Sequence, residues 1–280
     1  MLLHHEYAAH ILDRQREQEA AIQAAYAEGV YTPAQPLVRL NPYEIAPLTA
    51  LVMFHTKAPM AVHLTVHGKT AAADFSVDFP PAAEHWLPIY GLYADQDNLV
   101  TYTLDNGDTY CLTIRTDAAP DKLKQPASVS CAPDYLSGEL MFLSPTSPAF
   151  TAGYDAAGDC RWYCTENITF AIKELQNGRF SIGSPRLLEK PYYTTGLWEM
   201  DLIGKIYAEY RLPGGYHHDQ FEMEDGNLLV LTECFENGTV EDMCVLIDRA
   251  DGSILKTWDF KDILPQDAAP SGSWSAHDWF

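Results

Sequence analysis

From His5 to Glu28 the chain contains neither Gly nor Pro and is rich in Ala, Gln, Glu and Arg, until Gly29 offers a C-terminal stop. Straight side chains lose little rotamer freedom on a helix, so residues 1–30 are predicted to form an N-terminal helical segment. Tyr7, Ile11, Ile22 and Tyr26 recur on one face at helical spacing, but Gln15 and Gln18 interrupt that stripe. So thin a face does not specify a coiled coil. It leaves docking on the chain's own core and docking on a second subunit both open.

The pattern changes at "YTPAQPLVRLNPYEIAPLTA", whose prolines break the helix. Short β-type runs follow at Ala50–Phe54, Ala61–Val66, Asp74–Phe79, Asn98–Leu104 and Tyr110–Arg115. Val62, Leu64 and Val66 alternate with Ala61, His63 and Thr65, the period of a half-buried strand, while "HGK" and "DNGD" supply turns. Residues 31–126 therefore read as a small antiparallel β-sandwich. His63 falls on the polar phase of its strand and His67 in a turn, so these two, with His55, read as surface histidines.

Residues 127–280 carry a repeat. Trp162, Tyr210 and Trp258 are 48 residues apart, twice over, and Gly158, Gly204 and Gly252 precede them. Gly178 and Gly226, in "ELQNGRFSIGS" and "EMEDGNLLVLT", repeat the same spacing. Short strands and Gly turns at such a period are the signature of a β-propeller, each repeat forming one four-stranded blade. The clearest repeat predicts strands at His217–Met223, Asn227–Glu233, Met243–Asp248 and Ile254–Phe260. Counting gives a partial blade over about 129–165, complete ones over about 166–211 and 214–260, and the opening of another. The expected fold class is all-β with an N-terminal helix: a β-sandwich, then an incomplete propeller with open flanks and unpaired edges.

Charge removes some functions. Against 18 Lys and Arg stand 39 Asp and Glu, a formal net charge of −21 that opposes nucleic acid and offers no polybasic patch for a membrane. None of the six cysteines forms a Cys-x-x-Cys pair, so no zinc or redox site is expected and buried free thiols are the plain reading. Cys234 and Cys244 are candidates for neighbours across adjacent strands. The N-terminus has no apolar run of signal-peptide length, and no segment approaches roughly 18 apolar residues.

The chemistry concentrates in "GGYHHDQF", where His217 and His218 would open the first strand of a blade, beside the central channel. Alternation on a strand sends one ring into the channel and the other sideways, and His218 is the preferred channel residue. Phe170 stands 48 residues earlier and supplies an aromatic wall. Three roles are open. The pair could simply hydrogen-bond neighbouring blades; it could ligate a metal with Asp219, although alternation points adjacent side chains apart; or a neutral imidazole could act on an anionic group, with Asp219 orienting a ring.

"NPYEIAPLTALVMF", "HWLPIYGLYADQDNLVTYTLDNGD" and "GGYHHDQFEMEDGNLLVLT…EDMCVLIDRADGSILKTWDFKDIL" resemble the bacterial aryl-sulfate sulfotransferases over about residues 31–280. The resemblance implies a six-bladed propeller behind an N-terminal β-sandwich, often homodimeric and extracytoplasmic, needing no cofactor and no nucleotide donor. It implies transfer of a sulfuryl group from a phenolic sulfate ester to another phenol through a sulfo-histidine intermediate. On this chain it carries over His218, with His217 as the alternate, as a group acting on sulfuryl or phenolate oxygens. His277 in "HDWF" aligns with His218 through "HDxF" and is a further substrate-binding candidate beside Phe170. In the family "DWF" continues into a further histidine, and the nucleophilic histidine and an arginine come later. The expectation is therefore an N-terminal portion, inactive alone. The rival reading is a non-catalytic propeller that binds a partner or small molecule.

Overall fold

The computed structural model describes residues 5–132, 135–145, 149–166, 168, 171–184, 194–234, 236, 238–240 and 242–265. Its first element is the predicted helix, α1 (His5–Glu28). Ile11, Ile22 and Tyr26 are buried, and so is Gln15, the apparent break in the apolar stripe. Gln15 Nε2 donates to the carbonyls of Gly204 (2.9 Å) and Tyr43 (3.4 Å), while its Oε1 accepts from the Ile206 amide at 2.9 Å. The helix thus docks on its own chain, and the residue that weakens its apolar pattern is the one that fixes its register. Lys205 adds an ion pair to Glu19 at 2.5 Å.

Five strands build the next region: β1 (Leu37–Leu40), β2 (Thr49–Val66), β3 (Phe75–Tyr90), β4 (Asp97–Leu104) and β5 (Thr109–Arg115). The runs expected at Ala50–Phe54 and Ala61–Val66 are one long strand. Its first half pairs with β1, its second with β4, and β3 follows it throughout. The ladder slips between His55 and Val62, where Pro59 and the facing Pro80–Pro81 cannot donate hydrogen bonds. The five strands form one sheet, ordered β1-β2-β4-β5 with β3 on β2, and its core holds Phe54, Leu64, Leu87, Val100 and Tyr102. His55 and His63 are exposed and His67 half-buried.

Three sheets follow among the described residues, each an antiparallel meander in chain order. They are β6 (Met141–Leu143), β7 (Ala152–Tyr154) and β8 (Cys160–Tyr163); then β9 (Lys173–Glu174), β10 (Phe180–Gly183), β11 (Thr194–Met200) and β12 (Ile206–Tyr216); then β13 (Gln220–Glu222), β14 (Leu228–Thr232), β15 (Met243–Ile247) and β16 (Ile254–Asp259), capped by the short helix α2 (Phe260–Ile263).

The 48-residue aromatics explain how sheet meets sheet. Trp162, on β8, packs against Ile182, Trp198 and Met200 of the next sheet, and its indole N–H donates to the Leu202 carbonyl at 2.7 Å. Tyr210, on β12, packs against Leu228, Val230, Val245 and Ile247, and its hydroxyl donates to the Arg249 carbonyl at 3.1 Å. In both cases the acceptor directly follows the aspartate that opens a tight turn, Asp201 or Asp248, whose carbonyl accepts from the turn glycine three or four residues on. One aromatic per repeat thus fills the groove and satisfies its own polar atom on the following sheet.

The β-sandwich region is clamped to the first of these sheets by Arg161, whose side chain is 0% exposed. It pairs with Asp155 at 3.1 Å, donates to the carbonyls of Gly91 and Ala73 and the hydroxyl of Tyr93, and lies over the rings of Tyr93 and Phe75. A fully buried guanidinium is tolerable only when so many acceptors replace its water. No disulfide forms: Cys160, Cys164 and Cys244 are buried, Cys131 and Cys234 half-buried and Cys111 exposed. Cys244 faces Leu231 in the ladder, so Cys234 lies beyond it.

Candidate functional site

The segment that carries the two histidines is the crossing from β12 to β13. Gly214 makes the crossing possible, since a Cβ there would lie 1.6 Å from the Glu233 carbonyl oxygen, and Gly215 follows with φ +77°. Thr232 closes the approach by donating its hydroxyl to the Gly215 carbonyl at 2.6 Å. The "GG" before "YHHD" is thus the sequence cause of the tight passage between β12 and the end of β14.

His217 is 1% exposed. Its Nε2 lies 2.8 Å from the Thr232 carbonyl, and because a carbonyl only accepts, Nε2 carries a proton. His218 differs in every respect. It is exposed, and its φ of +57° is a left-handed value uncommon for residues other than Gly, Asn and Asp. The Asp219 amide donates to the His217 carbonyl at 2.8 Å, closing a three-residue turn of the rare, strained positive-φ kind. The two rings stand 5.3 Å apart and nearly perpendicular.

The expected strand start at His217 is therefore corrected. The strand begins at Gln220, and the turn, rather than strand alternation, separates the buried ring from the exposed one. The expected orienting role of Asp219 is also not what the geometry gives. Asp219 pairs with Lys173 of the neighbouring inner strand at 3.1 Å and accepts from the Gln220 amide at 2.9 Å. That pair places a cation, Lys173, beside the exposed histidine's turn.

Two residues that sequence reasoning missed hold the turn from behind. Buried Tyr216 directs its hydroxyl to Gln220 Oε1 and to the His218 carbonyl, the latter at 3.3 Å. Burial pushes the Tyr216 phenol far above its ordinary value, so it stays a neutral donor. Gln220 Nε2 donates to the carbonyls of Ala171 (3.3 Å) and Ser181 (3.1 Å), tying the turn to the preceding sheet. A tyrosine and a glutamine flanking "HHD" were the available signal, since a buried glutamine demands partners. Phe170 and His277 lie outside the described residues. Among the described residues no group of three or more His, Cys, Asp or Glu could hold a metal ion, and no helix is long and apolar enough to cross a membrane.

Chemically, the turn offers a solvent-facing imidazole on a support made by Tyr216 and Gln220, with the Lys173 ammonium paired to the adjacent Asp219. Such a group can donate to an anionic oxygen.

Two protein-family models match the chain. One described as arylsulfotransferase (ASST) covers residues 127–280, and one described as arylsulfotransferase Ig-like domain covers residues 37–119. A protein named arylsulfate sulfotransferase AssT from Lelliottia amnigena is 24% identical over 305 aligned positions, taking in 84% of this chain and 51% of that relative. A protein of the same name from Escherichia coli O6:H1 is 23% identical, with the same 84% and 51% coverage. The chain spans about half the length of the curated relatives it matches.

Proposed function

The chain belongs to the arylsulfotransferase family, and on that premise we propose that it contributes to transfer of a sulfuryl group from a phenolic sulfate ester to another phenol, without a nucleotide donor. The reaction is assigned to a polypeptide of the relatives' length, since this chain spans 51% of it. Its sheets are read as blades of an incomplete propeller. The working location is extracytoplasmic, and the working assembly of the full-length form a homodimer.

In the proposed exchange a histidine of the full-length polypeptide attacks sulfur while the S–O bond to the donor phenolate breaks. The acceptor phenol then attacks the same sulfur, gives up its proton, and releases the imidazole as the N–S bond breaks. His218 is proposed to hydrogen-bond a sulfuryl or phenolate oxygen as charge builds there, with Lys173 adding positive potential and His217 serving as the alternate contact. Phe170 and His277 are retained as substrate-binding proposals on sequence grounds.

The observation that carries this reading is His218 itself: an exposed imidazole held at positive φ by Tyr216 and Gln220, inside the segment matched by the arylsulfotransferase model. The test mixes a form of the relatives' length with 4-nitrophenyl sulfate and a phenol, free of nucleotide, and follows nitrophenolate release and the sulfated acceptor. Transfer supports the proposal. Hydrolysis alone, or dependence on an added nucleotide donor, would sink it.

A further inference from the structure

A pocket of about 480 Å³ opens where three parts of the chain meet: β3 of the sandwich region, β6 with the loop before it, and strands β9 and β10. It shares no residue with the histidine turn. Its floor, Leu140, Ile172 and Leu202, rests on the core around Trp162 and Trp198. Four aromatic rings line it: Phe75 and Tyr90 from β3, Phe142 from β6 and Phe180 from β10. Phe142 and Phe180 lie 5.7 Å apart at 44°, and Phe142 meets buried Trp162 edge-on at 5.5 Å, so these rings are held from behind. All four remain only half-buried.

The charged groups of this pocket are all of one sign. Glu139 and Glu174 are exposed at its rim, and Glu174 stands directly opposite Phe180 in the β9–β10 ladder. Among the described residues neither carboxylate has an ion-pair or hydrogen-bond partner, and no Lys, Arg or His lines the pocket. Two cations adjoin it, and both are engaged elsewhere. Arg161 lies over the Phe75 ring but is paired with Asp155, and Lys173, next to Glu174 in the chain, is paired with Asp219. The Tyr90 hydroxyl also makes no hydrogen bond among the described residues, and burial pushes its phenol up, so it stays neutral. The net charge of −21 adds a long-range field of the same sign.

We propose that this pocket binds an organic cation, an ammonium ion carrying an aryl group. The faces of aromatic rings carry negative potential and attract a weakly hydrated alkylammonium, while the two carboxylates supply full opposite charge. The apolar floor takes the aryl body, and the volume suits a small molecule. The same features repel an aryl sulfate or sulfonate, so the pocket discriminates by charge against the anionic esters. Binding here requires no sulfuryl transfer, and its test stands or falls apart from that reaction.

The test titrates the 280-residue chain with benzyltrimethylammonium by calorimetry and follows the methyl signals of Leu140, Ile172 and Leu202 by NMR. Saturable binding with a Kd of about 0.1–1 mM is expected for a ligand of this size, with shifts at those methyls. Benzyl alcohol, which keeps the ring and loses the charge, should bind about tenfold more weakly, and benzenesulfonate should not bind. Glu139→Gln and Glu174→Gln each change an exposed side chain, so each should leave the melting temperature unchanged and weaken the ammonium about threefold, the pair together about tenfold. Phe180→Leu, which keeps an apolar contact and removes a ring, should weaken it about fivefold. Raising the salt to roughly 0.5 M, where the Debye length falls below about 8 Å, should weaken it as well. Failure to saturate by about 10 mM overturns the proposal. So does benzyl alcohol binding as tightly as the ammonium, binding indifferent to both glutamines, or binding that leaves the three methyl signals unmoved.

Discussion

Glu199→Gln is the substitution whose cost follows most directly from the structure. The carboxylate sits on β11 with its side chain 4% exposed. Its Oε1 accepts from Arg179 Nη1 at 2.8 Å and Asn177 Nδ2 at 3.0 Å, and its Oε2 accepts from Arg249 Nε at 2.8 Å and the Tyr210 hydroxyl at 3.0 Å. Arg249 continues to Glu222 at 2.6 Å, so the network bolts the second sheet to the third. Burial alone would push the Glu199 carboxyl up, but the hydrogen bonds from Arg249, Arg179 and Asn177 outweigh it and hold it down at about 2, against an ordinary 4.5. At about 1.36 kcal/mol per unit the shift is worth about 3 kcal/mol, and discounting for the half-exposed Arg179 leaves about 2–3 kcal/mol. A depressed carboxylate stabilises fully above its unfolded value and loses that contribution as pH falls toward 2. Urea unfolding of both forms should therefore show a gap of about 2–3 kcal/mol at pH 7 that roughly halves by pH 3.5. A gap below about 0.5 kcal/mol at pH 7, or one that does not shrink on acidification, would refute the reasoning.

Other substitutions separate close approach from ordinary strain. Gly214→Ala must displace the Glu233 carbonyl and should cost more than about 3 kcal/mol, whereas Gly178→Ala, at φ +76° with open space around it, should cost about 1 kcal/mol in the same thermal melts. Similar losses at both positions would argue against the tight β12–β14 passage. Gln15→Leu keeps volume but leaves the Ile206 amide and Gly204 carbonyl without their side-chain partner, so a loss of about 2–4 kcal/mol is expected, with hydrogen exchange at Ile206 rising sharply. Unchanged exchange at Ile206 would show that α1 docks by its apolar face alone.

Much of this architecture was legible because it rests on local chemistry. The absence of Gly and Pro gave α1 to the residue, and the 48-residue spacing of Trp162, Tyr210 and Trp258 located the sheets before their ladders were known. What escaped was non-local. Gln15 reads as a defect in an apolar stripe until the turn at Gly204, 189 residues away, supplies its partner. The union of two runs into β2 was hidden by Pro59, which reads as a break and is accommodated as a ladder slip. At the site, a positive-φ turn at a histidine carries no side-chain signature, so strand alternation alone could not place His217 in the interior and His218 at the surface. Lys173 could not be assigned to Asp219 from the sequence, because the two are brought together from different sheets.

The central claim is that His218 acts on the transferring group, on a turn held by Tyr216 and Gln220. It is tested most directly by the kcat/KM for sulfuryl transfer between 4-nitrophenyl sulfate and a phenol, measured in a form of the relatives' length carrying His218→Ala. Loss of a positioned donor to developing charge predicts a fall of roughly 10²–10³-fold with the melting temperature unchanged. A variant that transfers within about threefold of the unsubstituted protein would remove His218 from the reaction and contradict the account.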